Sequence, residues 1–264
     1  MRYFVSLSYC GASYCGWQIQ DNAPTVESTL EKVFSMYLRE PIDLVGAGRT
    51  DTGVHASYYI AHFDSNNSQF YKDLSQTLYK LNAILPSNIH VKDIFPVDEK
   101  AHARFDATSR AYTYFIHRDK DPFNSEFSWQ CKYDLDIEKM NKAASYLIGT
   151  KDFGAFEKLH SDNVNSICTL TEAYWTTMPP TELGTKDLGR IKFHIKANRF
   201  LRNMVRAIVG SLIEVGRGKK EPEWILELLS SKNRSHAGQS VPGNALFLTD
   251  IEYPYIFANN KNLK

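Results

Sequence analysis

The stretch IDLVGAGRTDTGVHASYYIAHF, residues 42–63, places a glycine-rich loop between two apolar segments. The flanking segments 42–47 and 57–63 are rich in Val, Ile and Tyr, a composition typical of strands. Three glycines lie within eight positions of the loop: Gly46, Gly48 and Gly53. They enclose Arg49 and Asp51, so the loop presents a carboxylate in a setting that a simple turn does not require.

On both sides of this loop, apolar periodicity predicts further strands and helices. Residues 2–9 alternate like a strand, and residues 26–38 place their apolar side chains on one helical face. Downstream, residues 70–85 predict a second helix ended by Pro86, and residues 89–97 predict a strand. The order strand, helix, strand, strand, helix, strand is that of the ferredoxin-like unit, a common platform for RNA.

The second half of the chain predicts a variation on the same unit. Strands are expected at 109–118, 166–177 and 190–199, and helices at 136–149, 200–215 and 222–231, the last with Pro222 in its first turn. We therefore predict an α+β fold of two ferredoxin-like (RRM-like) subdomains. They form a mixed, mainly antiparallel sheet with helices packed on one face and a central catalytic cleft. The predicted domains are 1–104, which carries the Asp51 loop, and 105–264, which carries a basic RNA-binding surface.

Composition narrows the class of protein. The chain has 264 residues, no apolar run of bilayer length, and an N-terminus unlike a signal peptide. Four cysteines without a C-x-x-C pair predict reduced thiols rather than disulfides or a structural zinc site. We therefore expect a cytoplasmic protein with no membrane partner.

Basic residues are concentrated in one stretch, although the net charge is only +1. Between positions 190 and 220 the only acid is Glu214, and nine residues are basic: Arg190, Lys192, Lys196, Arg199, Arg202, Arg206, Arg217, Lys219 and Lys220. This stretch carries 9 − 1 = +8, which leaves 1 − 8 = −7 for the remainder. Such a distribution suits a polyanion that is bound on one side of the protein. A solvated helix and strand surface is the alternative.

Several known loop types do not fit the glycine segment. Gly48 and Gly53 satisfy G-x-x-x-x-G, but Val54 and His55 follow where a P-loop needs Lys and Ser or Thr. A dinucleotide fingerprint fails because the third glycine comes too late and a strand follows. A tight turn whose Arg49 and Asp51 simply bond the backbone stays open as an alternative. His55 and His62 point to opposite faces of one strand, so we predict no metal site.

Two other stretches carry functional alternatives. In residues 102–118, Tyr112 and Tyr114 share a strand face and are interleaved with arginines, which suits either a base-stacking platform or a half-buried sheet face. In residues 198–216, apolar residues recur every four positions on a buried helix face. Arg206 lies beside that apolar stripe and needs a partner anion, because a buried unpaired charge is costly.

Together these stretches resemble the TruA-type tRNA pseudouridine synthase family over nearly the whole chain. The segment G-R-T-D-x-G-V-H, within residues 46–56, is highly specific to that family. Five further segments match in the same order: YCGASYCGWQ (9–18), LNAILPSNIHV (81–91), HARFDATSRAYTY (102–114), FLRNMVRAIVGSLIEVG (200–216) and ALFLTDIEYP (245–254).

The resemblance implies roles for individual residues. Asp51 matches the catalytic aspartate, Tyr112 the tyrosine that stacks on the target uracil, and Arg206 the basic residue that pairs with the nucleophile. We predict that seven residues bind substrate: Arg49, Thr50, His55, Arg104, Arg110, Arg202 and Leu246. Within this set, Arg49 matches the arginine that helps to extrude the target base, and Leu246 matches an apolar pocket residue.

The resemblance also implies the reaction and its setting. We expect an isomerase that converts uridine to pseudouridine in the tRNA anticodon stem-loop, at about positions 38 to 40, as a homodimer without cofactor or metal. Three departures from the family pattern, Cys10, Thr52 and Ala245, bear on pocket shape and target choice. The alternatives are a catalytically silent RNA-binding or tRNA-folding module, and a hydrolase that releases the base. The sequence leaves open whether Asp51 attacks C1′, adds to C6 or assists departure of the base.

Overall fold

The fold is described from a computed structural model, which covers residues 1–158, 165–179 and 189–255. Ten strands lie in these ranges: β1 Arg2–Tyr9, β2 Val45–Gly46, β3 His55–Asp64, β4 Ile89–Pro96, β5 Ser109–His117, β6 Trp129–Gln130, β7 Gly149–Asp152, β8 Ile167–Thr177, β9 Ile191–Ala197 and β10 Leu246–Glu252. Six α-helices lie there too: α1 Val26–Leu38, α2 Gln69–Lys72, α3 Leu74–Ile84, α4 Ile137–Ser145, α5 Met204–Gly216 and α6 Trp224–Ser231. This content confirms the predicted α+β class.

The chain divides into two compact units. The first comprises Met1–Thr108 together with the segment that begins at Leu248, and the second comprises Ser109–Phe247. The predicted boundary at 104 differs from this division by four residues. The larger difference is that the segment from Leu248 onward, which we assigned to the second domain, belongs to the first unit.

Hydrogen bonds and ring contacts within the first unit explain where the segment after Leu248 lies. The amide of Thr108 donates to the carbonyl of Glu252 at 2.8 Å, and the hydroxyl of Tyr253 donates to the carbonyl of Ala103 at 2.5 Å. The Tyr253 ring also contacts Phe4 edge-on, with centroids 5.4 Å apart. Because Tyr253 is buried, this segment completes the core of the first unit.

In the first unit the strand order is β4-β1-β3-β10, and β2 also pairs with β3, off this path. The β1–β4, β1–β3 and β2–β3 pairs are antiparallel. Helix α1 begins at the predicted cap, where the Thr25 side chain accepts a hydrogen bond from the Ser28 amide. Its apolar stripe packs on the sheet through Phe34, whose ring contacts Phe63 of β3 with centroids 5.3 Å apart. The loop between β2 and β3 therefore extends from a sheet that a helix holds firmly.

The sheet of the second unit has the order β5-β9-β8-β7 with antiparallel neighbours, and β6 pairs parallel with β5. Helix α4 is tied to β8 by Asn141, whose side chain bonds both the amide and the carbonyl of Trp175, at 2.7 and 3.1 Å. Parallel and antiparallel pairs together make the sheet mixed but mainly antiparallel, as predicted.

Three helices of the second unit begin or end elsewhere than predicted. Helix α5 begins at Met204 rather than at 200, because Asn203 adopts a left-handed conformation (φ 66°) that interrupts a helix. Helix α6 begins at Trp224, so Pro222 precedes it instead of occupying its first turn. Helix α4 ends at Ser145, ahead of Gly149 with its positive φ of 101°. No helix in the described ranges combines the length and the apolar character needed to cross a bilayer.

Candidate active site

The Asp51 loop is fixed to β3 by its own backbone. The Ala47 amide donates to the carbonyl of Ile60 at 2.9 Å, and the hydroxyl of Tyr59 donates to the carbonyl of Gly48. Beyond this point a turn closes where the Val54 amide donates to the carbonyl of Asp51 at 3.1 Å. The carboxylate of Asp51 thus projects from a short segment that is hydrogen-bonded on both sides.

A second backbone segment, residues 10–17, supports this loop from behind. The Trp17 amide donates to the carbonyl of Thr50 at 3.2 Å. Glycines permit the close approach: a Cβ added at Gly16 lies 2.4 Å from the Thr50 oxygen, and one added at Gly11 lies 2.0 Å from the Val54 oxygen. Real side chains do not tolerate such distances, so glycine is required at both positions. The segment before α1 therefore packs directly on the backbone around Asp51.

The three loop glycines have different physical reasons. Gly53 has a positive φ of 77°, and a Cβ at Gly46 lies 2.1 Å from the hydroxyl oxygen of Tyr59. Gly48 has no described heavy atom within 4 Å of its added Cβ. Two glycines are therefore needed by the loop itself, and only Gly48 faces space that a ligand could use.

The side chains of the loop divide into exposed and buried groups. Arg49 is exposed and Asp51 is half-buried. Thr50 is buried with its hydroxyl oxygen 2.9 Å from that of Tyr9, and His55 is buried with its Nδ1 accepting the Gly11 amide at 3.0 Å. We expect Thr50 and His55 to affect substrate through the shape of the loop, whereas Arg49 and Asp51 can meet a ligand directly.

Glu27, in the first turn of α1, is a residue that sequence reasoning missed. Its carboxylate accepts hydrogen bonds from Nε1 of Trp17 at 2.9 Å and from the amide of Ile19 at 2.8 Å. Burial raises the pKa of Glu27, and the nearby charge of Arg49 opposes that rise. Glu27 thus holds the end of the segment that supports the Asp51 loop, and its carboxylate interacts electrostatically with Arg49. An acid in a first helical turn is common because it interacts favourably with the helix dipole, so Glu27 could not be distinguished from the sequence alone.

In the second unit, only one of the two predicted stacking tyrosines keeps exposed surface. Tyr112 on β5 is half-buried, and its ring meets Phe200 edge-on with centroids 5.1 Å apart. Tyr114 is fully buried and donates its hydroxyl to the carbonyl of Pro242 at 3.0 Å. Of the two alternatives for this strand, Tyr114 therefore fits the buried sheet face, because the core covers its ring.

Arg206 lies in the first turn of α5 and is half-buried. Its Nε donates to the carbonyl of Val241 at 2.8 Å, and the Val241 amide donates back to the Arg206 carbonyl at 3.3 Å. Part of its bonding demand is thus met by a backbone carbonyl. Leu246, the first residue of β10, is buried in the same unit.

The cations predicted to bind substrate are not all in one place. Arg202 is exposed just before α5, and Arg110 on β5 donates to the carbonyl of Asn198 at 3.0 Å. Arg104 belongs to the first unit, where the neighbouring Ala103 amide donates to Nδ1 of His62 at 3.1 Å. His62 pairs with Val45, the residue just before the glycine loop, so Ala103 is attached beside the start of that loop.

The basic stretch also separates into parts. Arg217 and Lys219 lie beyond the C-terminal end of α5, where both pair with Glu214 at 2.9 and 3.7 Å. Arg217 further stacks over Tyr133, and Lys220 lies over Trp224. These three cations have local partners about 20 Å along the helix from Arg206. The remaining cations on β9 and before α5 are the better candidates for an RNA surface.

Within the described ranges, no group of three or more His, Cys, Asp or Glu residues is arranged to hold a metal ion. The predicted catalytic set is thus divided by unit, with Asp51 in the first and Tyr112 and Arg206 in the second. A half-buried carboxylate on a rigid loop and a half-buried, oriented guanidinium are groups suited to ionic or nucleophilic chemistry.

Comparison with known proteins gives consistent matches. A family model described as tRNA pseudouridine synthase matches residues 143–254. A protein of Bacteroides fragilis named tRNA pseudouridine synthase A is 46% identical over 253 residues, which cover 96% of both chains. The protein of the same name from Parabacteroides distasonis is 47% identical over 96% of both chains, and that from Thermoanaerobacter sp. is 40% identical over 94% of this chain and 98% of its own.

Proposed function

The chain belongs to the tRNA pseudouridine synthase A family, an isomerase family that acts on uridine in tRNA, and from this premise we propose that Asp51 carries out the isomerisation in the anticodon stem-loop. The observation that carries the assignment is the setting of Asp51. It is a half-buried carboxylate on a loop that β3 and residues 10–17 hold by backbone contacts. Such rigidity is what a catalytic group needs.

The reaction breaks the bond between C1′ and N1 of uridine, turns the base and forms a bond between C1′ and C5, with loss of the C5 hydrogen as a proton. A carboxylate suits each open route: attack at C1′, addition at C6, or stabilisation of positive charge at the anomeric carbon. The detached base must stay in place and water must be kept from the sugar, which favours apolar walls. We propose that Tyr112 and buried Leu246 supply such walls.

Tyr112 and Arg206 complete the proposed catalytic set. The Tyr112 ring is half-buried and contacts Phe200 edge-on, and we propose that it stacks on the uracil. Stacking of that kind contributes about 1–3 kcal/mol per base. We propose that Arg206 is the positive charge that accompanies the nucleophile and stabilises its ionised form. Arg49, exposed beside Asp51, is proposed to fill the space that the extruded nucleotide leaves.

Arg104, Arg110 and Arg202 are proposed to bind the phosphate backbone. Phosphate contacts of this type weaken steeply with salt, so tRNA affinity should fall as ionic strength rises.

The finer architecture and the setting also belong to the proposal. In the first unit β1 lies between β4 and β3, and β2 pairs with β3; these pairings support a ferredoxin-like unit, to which β10 adds a further strand beside β3. In the second unit the strands β5, β9 and β8 repeat the β1, β3 and β2 part of that arrangement. We further propose a cytoplasmic homodimer, on the family resemblance. Light scattering of the purified protein tests the oligomeric state.

Tritium release from tRNA labelled at C5 of uridine tests the activity, because isomerisation displaces that hydrogen whereas binding or simple hydrolysis does not. The wild-type protein is expected to release tritium, and D51N to lose about 10³-fold or more of that rate. Tm measurement is the control that D51N is folded. Binding of tRNA without tritium release by the wild type would support the silent RNA-binding module instead.

A further inference from the structure

The direction of the Arg206 guanidinium is set by a segment that has no regular structure. Residues 237–242 run between two short 3₁₀ turns, Arg234–His236 and Gly243–Ala245. Val241 in this segment accepts the Arg206 Nε at 2.8 Å and returns its amide to the Arg206 carbonyl. Because a guanidinium is planar, fixing Nε fixes the plane in which its remaining donors point.

Side chains around the segment hold it in position. Ser240 accepts hydrogen bonds at its hydroxyl from Asn203 at 2.6 Å and from Arg234 at 2.8 Å. The Gly238 amide donates to the hydroxyl of Ser211 at 2.9 Å. These bonds join the segment to α5 and to the residue that precedes it.

The segment also lies directly on the backbone of α5. A Cβ added at Gly210 lies 1.8 Å from the carbonyl oxygen of Gln239, and one added at Gly238 lies 2.7 Å from the carbonyl carbon of Gly210. These contacts restrict movement of the segment along α5. They do not reach the end of the segment nearest Arg206, which is formed by Val241 and Pro242.

Tyr114 fixes that end. Its fully buried hydroxyl donates to the carbonyl of Pro242 at 3.0 Å, one residue beyond the carbonyl that holds Arg206. Burial raises the pKa of Tyr114, and the Arg206 charge opposes the rise, which places the guanidinium within electrostatic range of this ring. The hydroxyl is therefore a neutral, permanent donor at physiological pH.

We propose that Tyr114 is a positioning residue for the isomerisation: its hydroxyl holds the Val241–Pro242 backbone, and that backbone aims the Arg206 guanidinium. The inference rests on the proposed role of Arg206. Misplacement of a catalytic group by about 1 Å costs up to about 10²-fold in rate, so loss of one anchor should slow the chemical step more than it weakens tRNA binding.

The test compares Y114F with Y253F. Tyr253 is the matched control, because its buried hydroxyl also donates to a backbone carbonyl, that of Ala103, in the other unit. Single-turnover tritium release is expected to fall about tenfold in Y114F with tRNA Kd unchanged within about twofold. Y253F is expected to keep its rate within about twofold, and both variants should lower Tm to a similar extent.

A double variant separates positioning from general damage. In the R206A background Y114F should cause no further loss of rate, because the group that it aims is absent. Multiplicative losses would overturn the proposal, and so would a normal rate in Y114F beside a slow R206A. A normal rate in R206A would instead refute the role proposed for Arg206. S240A loosens the same segment and should also lower the rate, which keeps the test decisive if Y114F does not fold.

Discussion

The loop of Asp51 and the first turn of α5 at Arg206 hold a charged side chain in two different ways. Around Asp51 the contacts are mainly backbone to backbone, with Gly11 and Gly16 allowing two segments to touch. Around Arg206, close backbone packing at Gly210 and Gly238 is joined by side-chain hydrogen bonds: Tyr114 donates to a backbone carbonyl, and Ser240 accepts from two side chains. Both arrangements are sensitive to atoms added at their glycines, and the second depends in addition on side-chain hydrogen bonds.

The largest expected effect comes from adding a single carbon behind Asp51. G11A brings a Cβ within 2.0 Å of the Val54 oxygen, so the loop must move. We expect a loss of about 3 kcal/mol or more in the free energy of unfolding and a fall in rate of about 10²-fold. G48A is the matched control, because its Cβ meets no described atom within 4 Å.

Urea unfolding measures the stability of G11A and G48A, and tritium release measures the rate of G11A. Equal losses of stability in the two alanine variants would contradict the comparison, since they would show that close backbone contact does not hold the loop.

A smaller effect is expected when one side-chain anchor of the second arrangement is removed. Ser211 donates to the carbonyl of Ala207 and accepts the Gly238 amide, and it is fully buried. S211A leaves that amide without its acceptor and should cost about 1–3 kcal/mol in stability, with a matching decrease in denaturant midpoint. S230A, which removes the same serine-to-carbonyl bond on an exposed part of α6, should stay within about 0.5 kcal/mol. A loss of stability in S230A as large as that in S211A would show that burial of the serine hydroxyl does not determine the cost.

The smallest expected effect is a change of stability with pH. It involves His62, a side chain of the first unit that accepts a hydrogen bond from a backbone amide. Burial lowers the pKa of His62 to about 4, and its neutral Nδ1 accepts the Ala103 amide. In the unfolded chain His62 gains a proton near pH 6.5, whereas in the folded chain it stays neutral until the pH is much lower. The contribution of His62 to stability is therefore complete above pH 6.5 and is lost as the pH falls toward 4. We expect a loss of roughly 1–2 kcal/mol between pH 7 and pH 5.

Urea unfolding across that pH range checks the His62 prediction. H62Q keeps an acceptor for the Ala103 amide but has no proton to gain, so its stability should vary less between pH 7 and pH 5. An unchanged pH slope in H62Q would assign the titration to another group.

Local patterns in the sequence predicted much of the fold. The helical stripe identified α1 because one face of that helix is buried, and strand-like patterns identified β1, β3 and β5. The start of α5 could not be predicted, since the left-handed conformation of Asn203 depends on its surroundings. Likewise, nothing local distinguishes Tyr112 from Tyr114, which alternate identically on the strand but differ in what covers them.

The candidate site was predictable only in part, for a related reason. The G-R-T-D-x-G-V-H segment indicates Asp51 through the family resemblance, whereas the glycine spacing alone leaves a simple turn open. Contacts between residues distant in the chain, such as Gly210 with Gln239 or Glu27 with Trp17, leave no periodic signal. The supporting residues of both charged groups were therefore visible only once the chain was folded.

The place of β10 has a consequence for how the chain acquires its structure during translation. The first unit requires Leu248 and Tyr253, yet a ribosome makes these residues only after all of Ser109–Phe247. Until then the ring of Phe4 lacks its Tyr253 neighbour and the Ala103 carbonyl lacks its donor. The half that carries Asp51, although begun first, is therefore the half that matures later, and an emerging chain stays inactive until its partner unit has been synthesised.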